Sequence, residues 1–190
     1  PIMIMNVMQT MFSVIDMTVL GNLVNDSAVG SVGACSTLIT LCTGLFIGSS
    51  VGANVIVARY IGAGDRQRTK QAIGTSLAFS LLGGLLLLLI GVSCAELFLR
   101  LTNCPESMLQ DAVTYFRIYF LGAPIALLYN FSAAILRAAG DTKRPMYFLL
   151  FGGMLKVLLN IFCITVLKLT VAGVAIATIA SNATAGALCL

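Results

Sequence analysis

Apolar residues run through the chain in six stretches separated by short polar or glycine-containing breaks: approximately 1–21, 30–61, 71–98, 108–138, 145–168 and 171–190. Each is close to or beyond the ~20 residues that a helix needs to cross the hydrocarbon core of a bilayer. They are too long and too continuously apolar for barrel strands, whose side chains alternate inward and outward, so helices are the expected spanning state. The second and fourth stretches exceed the minimum, which predicts tilt or extension beyond the hydrocarbon. The expected fold is an all-α integral membrane domain, a six-transmembrane-helix bundle over residues 1–190.

Charge placement orients this bundle. Ala63-Gly64-Asp65-Arg66-Gln67-Arg68 follows the second stretch and Ala139-Gly140-Asp141-Thr142-Lys143-Arg144 the fourth, each a glycine helix end followed by a basic cluster. Arg59, Arg66, Arg68, Lys70, Arg137, Lys143 and Arg144 are seven of the eleven Lys and Arg residues, and all lie at this side. The positive-inside rule makes it the cytoplasmic side of a multi-pass plasma (inner) membrane protein, with connections 62–70 and 139–145 in the cytoplasm. The first helix then runs outward. The chain begins and stops inside apolar stretches, which reads as part of a longer protein, and no secretory signal is visible. The shared turn pattern leaves two readings open, a helical-pair repeat or the common chemistry of helix ends.

Composition agrees with the pattern and narrows the chemistry. Of 190 residues 59% are hydrophobic and 9% charged, with a mean hydropathy of +1.02, against roughly 25% charged in a soluble domain. No histidine is present, which excludes histidine proton relays, imidazole metal ligands and Ser-His-Asp triads. The six cysteines form no CxxC pair and read as small apolar packing residues. The net charge of +4 comes from residues at helix ends, which is topology and not nucleic-acid binding. GAGDRQ lacks the third glycine and the preceding strand of a dinucleotide loop. No enzyme chemistry and no cofactor beyond a coupling ion is expected. Gly44, Gly48 and Gly52 form a four-residue ladder expected to let another backbone approach closely.

Within the first stretch, Asn6, Gln9, Ser13 and Asp16 are spaced 3, 4 and 3 residues apart and share one helix face. Lipid cannot satisfy such a face, so it is expected to point into the bundle or a wet cavity. Candidate partners are Tyr119 and Asn130 on the fourth helix, placed on one face by their separation of eleven residues, with Pro124 bending the helix between them. Lys156 and Asn160 on the fifth helix, and Thr178, Ser181 and Asn182 on the sixth, complete the set. A carboxylate carried toward low dielectric holds a proton more firmly and releases it when rewetted, so Asp16 in an alternating cavity could couple a proton to transport. The alternative is a structural pair with Lys156.

The segments IDMTVLGNL, SAVGSVGACS, GLFIGSSVGANVIVARYIGAGD, YFRIYFLGAP, ILRAAGDTKRPM, LKVLLN and VAGVAIATIAS, in this order, resemble the amino-terminal half of the multidrug and toxic compound extrusion (MATE) family. The resemblance implies one half of a twelve-helix, two-lobed transporter, the missing carboxy-terminal lobe being a partner from the same polypeptide. It also implies antiport of amphipathic or cationic compounds against protons or sodium ions, with Asp16 and Asn160 as ion-coupling residues. Gln9, Ser13, Tyr119, Asn130 and Thr178 are the cavity-lining candidates. Ile164 stands where several branches of the family carry a second acid, which favours a proton over sodium. Two further readings stay open: a lipid-linked oligosaccharide flippase of the same superfamily, for which only Lys156 and Arg117 could face a pyrophosphate, and a transport-inactive structural membrane domain.

Overall fold

The computed structural model describes residues 7–12, 14, 15, 18, 26–101, 106–165 and 171–189. The described part of the first stretch is helical and is followed by α1 (Asp26–Gly62), α2 (Arg66–Leu101), α3 (Glu106–Leu121), α4 (Ala123–Ala138), α5 (Lys143–Thr165) and α6 (Val171–Cys189). No strand occurs among the described residues. Four of these helices are long and apolar enough to cross a membrane, and α3 with α4, taken as one bent span, makes a fifth. Leu41, Leu45, Leu89 and Leu158 are among the large apolar side chains that face outward, the arrangement expected where the surroundings are acyl chains.

The two basic turns close with the same hydrogen bonds. Asp65 N–H donates to Tyr60 O (3.2 Å) and Asp141 N–H to Leu136 O (3.0 Å), the six-to-one bond of a glycine-terminated helix. Gly64 (φ 71°) and Gly140 (φ 87°) supply the left-handed residue that this ending requires. Each aspartate then starts the next helix: Arg68 N–H donates to Asp65 Oδ1 (3.0 Å) and Arg144 N–H to Asp141 Oδ1 (3.1 Å). Arg68 and Arg144 also pair with these aspartates at 3.3 and 3.1 Å. Asp65→Ala or Asp141→Ala is therefore expected to lower stability by about 1 kcal/mol each through the lost cap, read as a reduced melting temperature in detergent.

The fourth stretch, expected as one helix over 108–138 bent at Pro124, is bent there, so sharply that it becomes two helices. It breaks at Gly122, and Leu109–Leu121 and Ala123–Ala138 meet at 49°. Pro124 lies in the first turn of α4, where its missing N–H is harmless, whereas inside a continuous helix its ring would collide with a carbonyl. Gly122 also sits against Ile179 of α6, which a Cβ there would overlap. The break removes the assumption that placed Tyr119 and Asn130 on one face.

The core forms where α1, α2, α3 and α4 meet, around Cys35, Leu87, Leu99, Phe116, Phe120 and Leu127. Phe116 and Phe120 stack with ring centroids 4.5 Å apart. Close approach is made by glycines of α2: Gly84 lies against the Pro124 backbone and Gly91 against the Phe120 ring. The ladder Gly44, Gly48 and Gly52 does not play that part, since a Cβ at any of the three would meet nothing within 4 Å. Several polar side chains bond locally or across helices, as an apolar solvent favours. Asn54 Nδ2 donates to Ala134 O (2.9 Å) between α1 and α4, and Ser181 Oγ to Gly152 O (2.6 Å) between α6 and α5. Along α1, Thr40 and Thr43 donate to the carbonyl one turn back.

Candidate functional site

A polar cavity of about 190 Å³ lies among the amino-terminal segment, α3, α4, α5 and α6. Gln9 and Phe12 line it from the amino-terminal segment, Tyr119 from the last turn of α3 and Tyr129 from α4. Gly152, Gly153 and Lys156 come from α5, and Thr178, Ser181 and Asn182 from α6. The α5 glycine pair makes this meeting possible. A Cβ on Gly153 would overlap the Phe12 ring, and one on Gly152 would crowd Ser181 Oγ at 3.2 Å. Lys156 lies one turn beyond the pair and so projects into the same space. Thr178 Oγ1 donates to Val174 O (2.8 Å) and Ser181 Oγ to Gly152 O (2.6 Å). With their protons committed, both hydroxyls keep lone pairs that can accept from a water or meet a cation.

Size limits what such a space can hold. At roughly 30 Å³ per water, 190 Å³ accommodates about six waters or an ion with its shell, below the ~300 Å³ where drug-sized pockets begin. Lys156 is the charged residue among the described lining side chains; Arg117 is exposed on α3 and does not line the cavity.

The structure thus brings together Gln9, Tyr119 and Thr178 of the sequence-derived candidates, and Lys156 with them. Asn160 is buried on α5 at 1% exposure, one turn past Lys156, and is not among the lining residues. Asn130 lies outside the cavity as well; its Nδ2 donates to Ala126 O within α4 (2.8 Å). Asn6, Ser13 and Asp16 fall outside the described residues. Ile164, at 8% exposure, packs into the apolar core with Val174 and Ala175. Sequence reasoning missed Tyr129, Phe12 and the role of Gly152-Gly153. A glycine pair one turn before an intramembrane lysine was the available signal, and its meaning depended on knowing which helix faces it.

Comparison with known proteins gives a consistent answer. The MatE family profile matches residues 1–162. The chain is 34% identical to the probable multidrug resistance protein YpnP of Bacillus subtilis (strain 168), over 96% of its own length and 41% of that protein. Among solved structures, an outward-facing multidrug resistance MATE transporter of the MOP superfamily matches with TM-score 0.92 at 26% identity, over 98% of this chain and 41% of that one. An inward-facing one matches with TM-score 0.89 at 25% identity, over 95% of this chain and 41% of that one. The chain spans about 40% of the length of the relatives it matches.

Proposed function

The chain belongs to the MatE family of membrane transporters, and from that premise we propose that it is the amino-terminal lobe of a secondary antiporter that exports amphipathic or cationic compounds in exchange for protons. A second lobe of the same polypeptide completes the substrate cleft, and the turns at Gly64 and Gly140 face the cytoplasm of a plasma-membrane protein.

The observation that carries the reading is the polar cavity around Lys156 inside otherwise apolar spans. Intramembrane ionisable groups mark ion and substrate pathways, and a cavity of this size fits a hydrated proton site better than a whole organic substrate. Asp16 follows Gln9 by seven residues in the sequence, a spacing that repeats a helix face, and it is the acid that this reading assigns to the proton. The apolar packing of Ile164 leaves no second carboxylate at that position for a sodium ion, which supports proton coupling. Likeness to both an inward- and an outward-facing transporter supports a lobe that keeps its internal packing while the entrance alternates.

Proteoliposomes containing the full-length protein, with pH and sodium gradients imposed separately, test this function. Export driven by the pH gradient alone is expected; a response to sodium alone would overturn the choice of ion. Lys156→Gln is expected to slow transport while leaving its response to a pH gradient intact, measured as uptake rate against imposed ΔpH. Loss of that response would place the lysine in the coupling step. A lipid-linked oligosaccharide flippase is the second reading. It is less favoured because a pyrophosphate would meet a single lining lysine here, and a lipid-flip assay on the same vesicles separates the two.

A further inference from the structure

A groove larger than the Lys156 cavity lies away from it, between α1 and α2. It encloses about 600 Å³ and its lining is graded along its length. Beside the Gly64 turn it is polar, with Tyr60, Arg68 and Gln71; farther along come Ile56, Thr75 and Ser76; its far end is floored by Phe79 and Phe131. At this floor Phe79 packs against Phe131 with centroids 6.0 Å apart and against Phe46 at 6.4 Å. The flank is open, because a Cβ on Gly52 would meet nothing within 4 Å. A second hollow of about 370 Å³ on the same turn is lined by Tyr60, Arg66 and Lys70 among others. Residues 59–70 carry Arg59, Arg66, Arg68 and Lys70 against one acid, Asp65.

We propose that this groove binds an anionic phospholipid, its phosphate at Arg68 and Gln71 and one acyl chain along Ile56, Phe79 and Phe131. Three features converge on that occupant. From Arg68 to Phe79 the groove runs about 17 Å along α2, close to the ~15 Å depth of one leaflet. Its polar end coincides with the basic turn, and basic pockets between membrane helices on the cytoplasmic side suit anionic headgroups. Arg68 pairs with Asp65 at 3.3 Å, yet its side chain is 67% exposed, and an exposed pair of this kind is weak enough for a phosphate to share the guanidinium. The proposal rests on the reading above only in placing this end of the bundle at the cytoplasmic surface.

Native mass spectrometry of the full-length protein, delipidated and then titrated in detergent with phosphatidylglycerol or phosphatidylcholine, provides the test. The wild type is expected to retain phosphatidylglycerol preferentially. Arg68→Gln is expected to weaken that retention about fivefold, the effect of one basic residue at a membrane surface, and Ser76→Phe to do the same by filling the groove. Arg144→Gln removes the same charge from the matching turn, where the arginine is likewise paired with an aspartate but does not line the groove, and is expected to leave retention unchanged. Wild-type retention in either groove variant, an equal loss in Arg144→Gln, or equal retention of the two lipids overturns the proposal. A helix of the second lobe occupying the groove would give the last of these results. No gradient is imposed, so Asp16→Asn is expected to keep its lipid whether or not it transports, and failure of the antiport reading remains separately visible.

Discussion

Asp16→Asn in the full-length protein is expected to reduce pH-gradient-driven export to the level of protein-free liposomes while leaving substrate binding measurable. The substitution keeps the shape and hydrogen-bonding reach of the side chain and removes only its ability to gain and lose a proton. Gln9, Tyr119, Tyr129, Thr178, Ser181 and Asn182 can orient water or a cation, but none of these groups exchanges a proton near neutral pH. The Lys156 side chain shares their cavity, but an amine alternates between positive and neutral, so it is a poor substitute for a carboxylate that must alternate between neutral and negative. If Asp16 only balanced Lys156 structurally, the Asn variant would be destabilised and the double variant Asp16→Asn/Lys156→Met would recover stability, because both charges of the pair are then gone. Coupling predicts instead that transport stays absent in the double variant. Proton-driven export at the wild-type rate by Asp16→Asn would refute the coupling role.

Two glycines of α2 should respond oppositely to the same added methyl group. Gly84→Ala is expected to destabilise the protein by about 1–3 kcal/mol, because its Cβ would overlap the backbone of Pro124 and backbone cannot rotate out of the way as a side-chain tip can. The α2 and α4 helices would have to separate, disturbing Leu87 and Leu127 in the core. Gly74→Ala places its methyl where nothing lies within 4 Å, so the helix gains about 0.5–1 kcal/mol from the less flexible residue. Thermal unfolding in one detergent reads both. Equal shifts in the same direction would show that the α2–α4 approach does not control stability.

The parts of this structure that were legible in the sequence are those fixed by local chemistry. Helix type followed from the length of the apolar runs, and the Gly64 and Gly140 turns from glycine followed by a capping aspartate, which bond as that pattern requires. Helix-to-helix matching was not legible. The Gly44–Gly48–Gly52 ladder has the spacing of a packing face and none of the contacts, whereas Gly84 and Gly91, seven residues apart on α2, and Gly153 on α5 make close approaches. A glycine's spacing records which way it faces along its own helix, not what stands opposite. The same limit explains the site. Gln9, Lys156 and Thr178 stood out as polar residues in apolar runs, while Tyr129 and Phe12 look like ordinary core and acquire meaning only from the cavity they line. Asn130 stood out equally and is turned aside by the break at Gly122.

That break also has an electrical consequence. A continuous spanning helix carries its end charges in water at the two membrane surfaces, where they are screened, but α3 ends half-way along the span that it forms with α4. Its last carbonyls carry roughly half a negative charge in a medium that screens poorly. Tyr119, in that last turn, lines the cavity, whereas residues 122–126 at the amide end of α4 do not. The amide end of α4 begins two residues later and opposes that charge, so the break sets a compensated pair of helix ends at mid-depth, beside the turn that carries Tyr119.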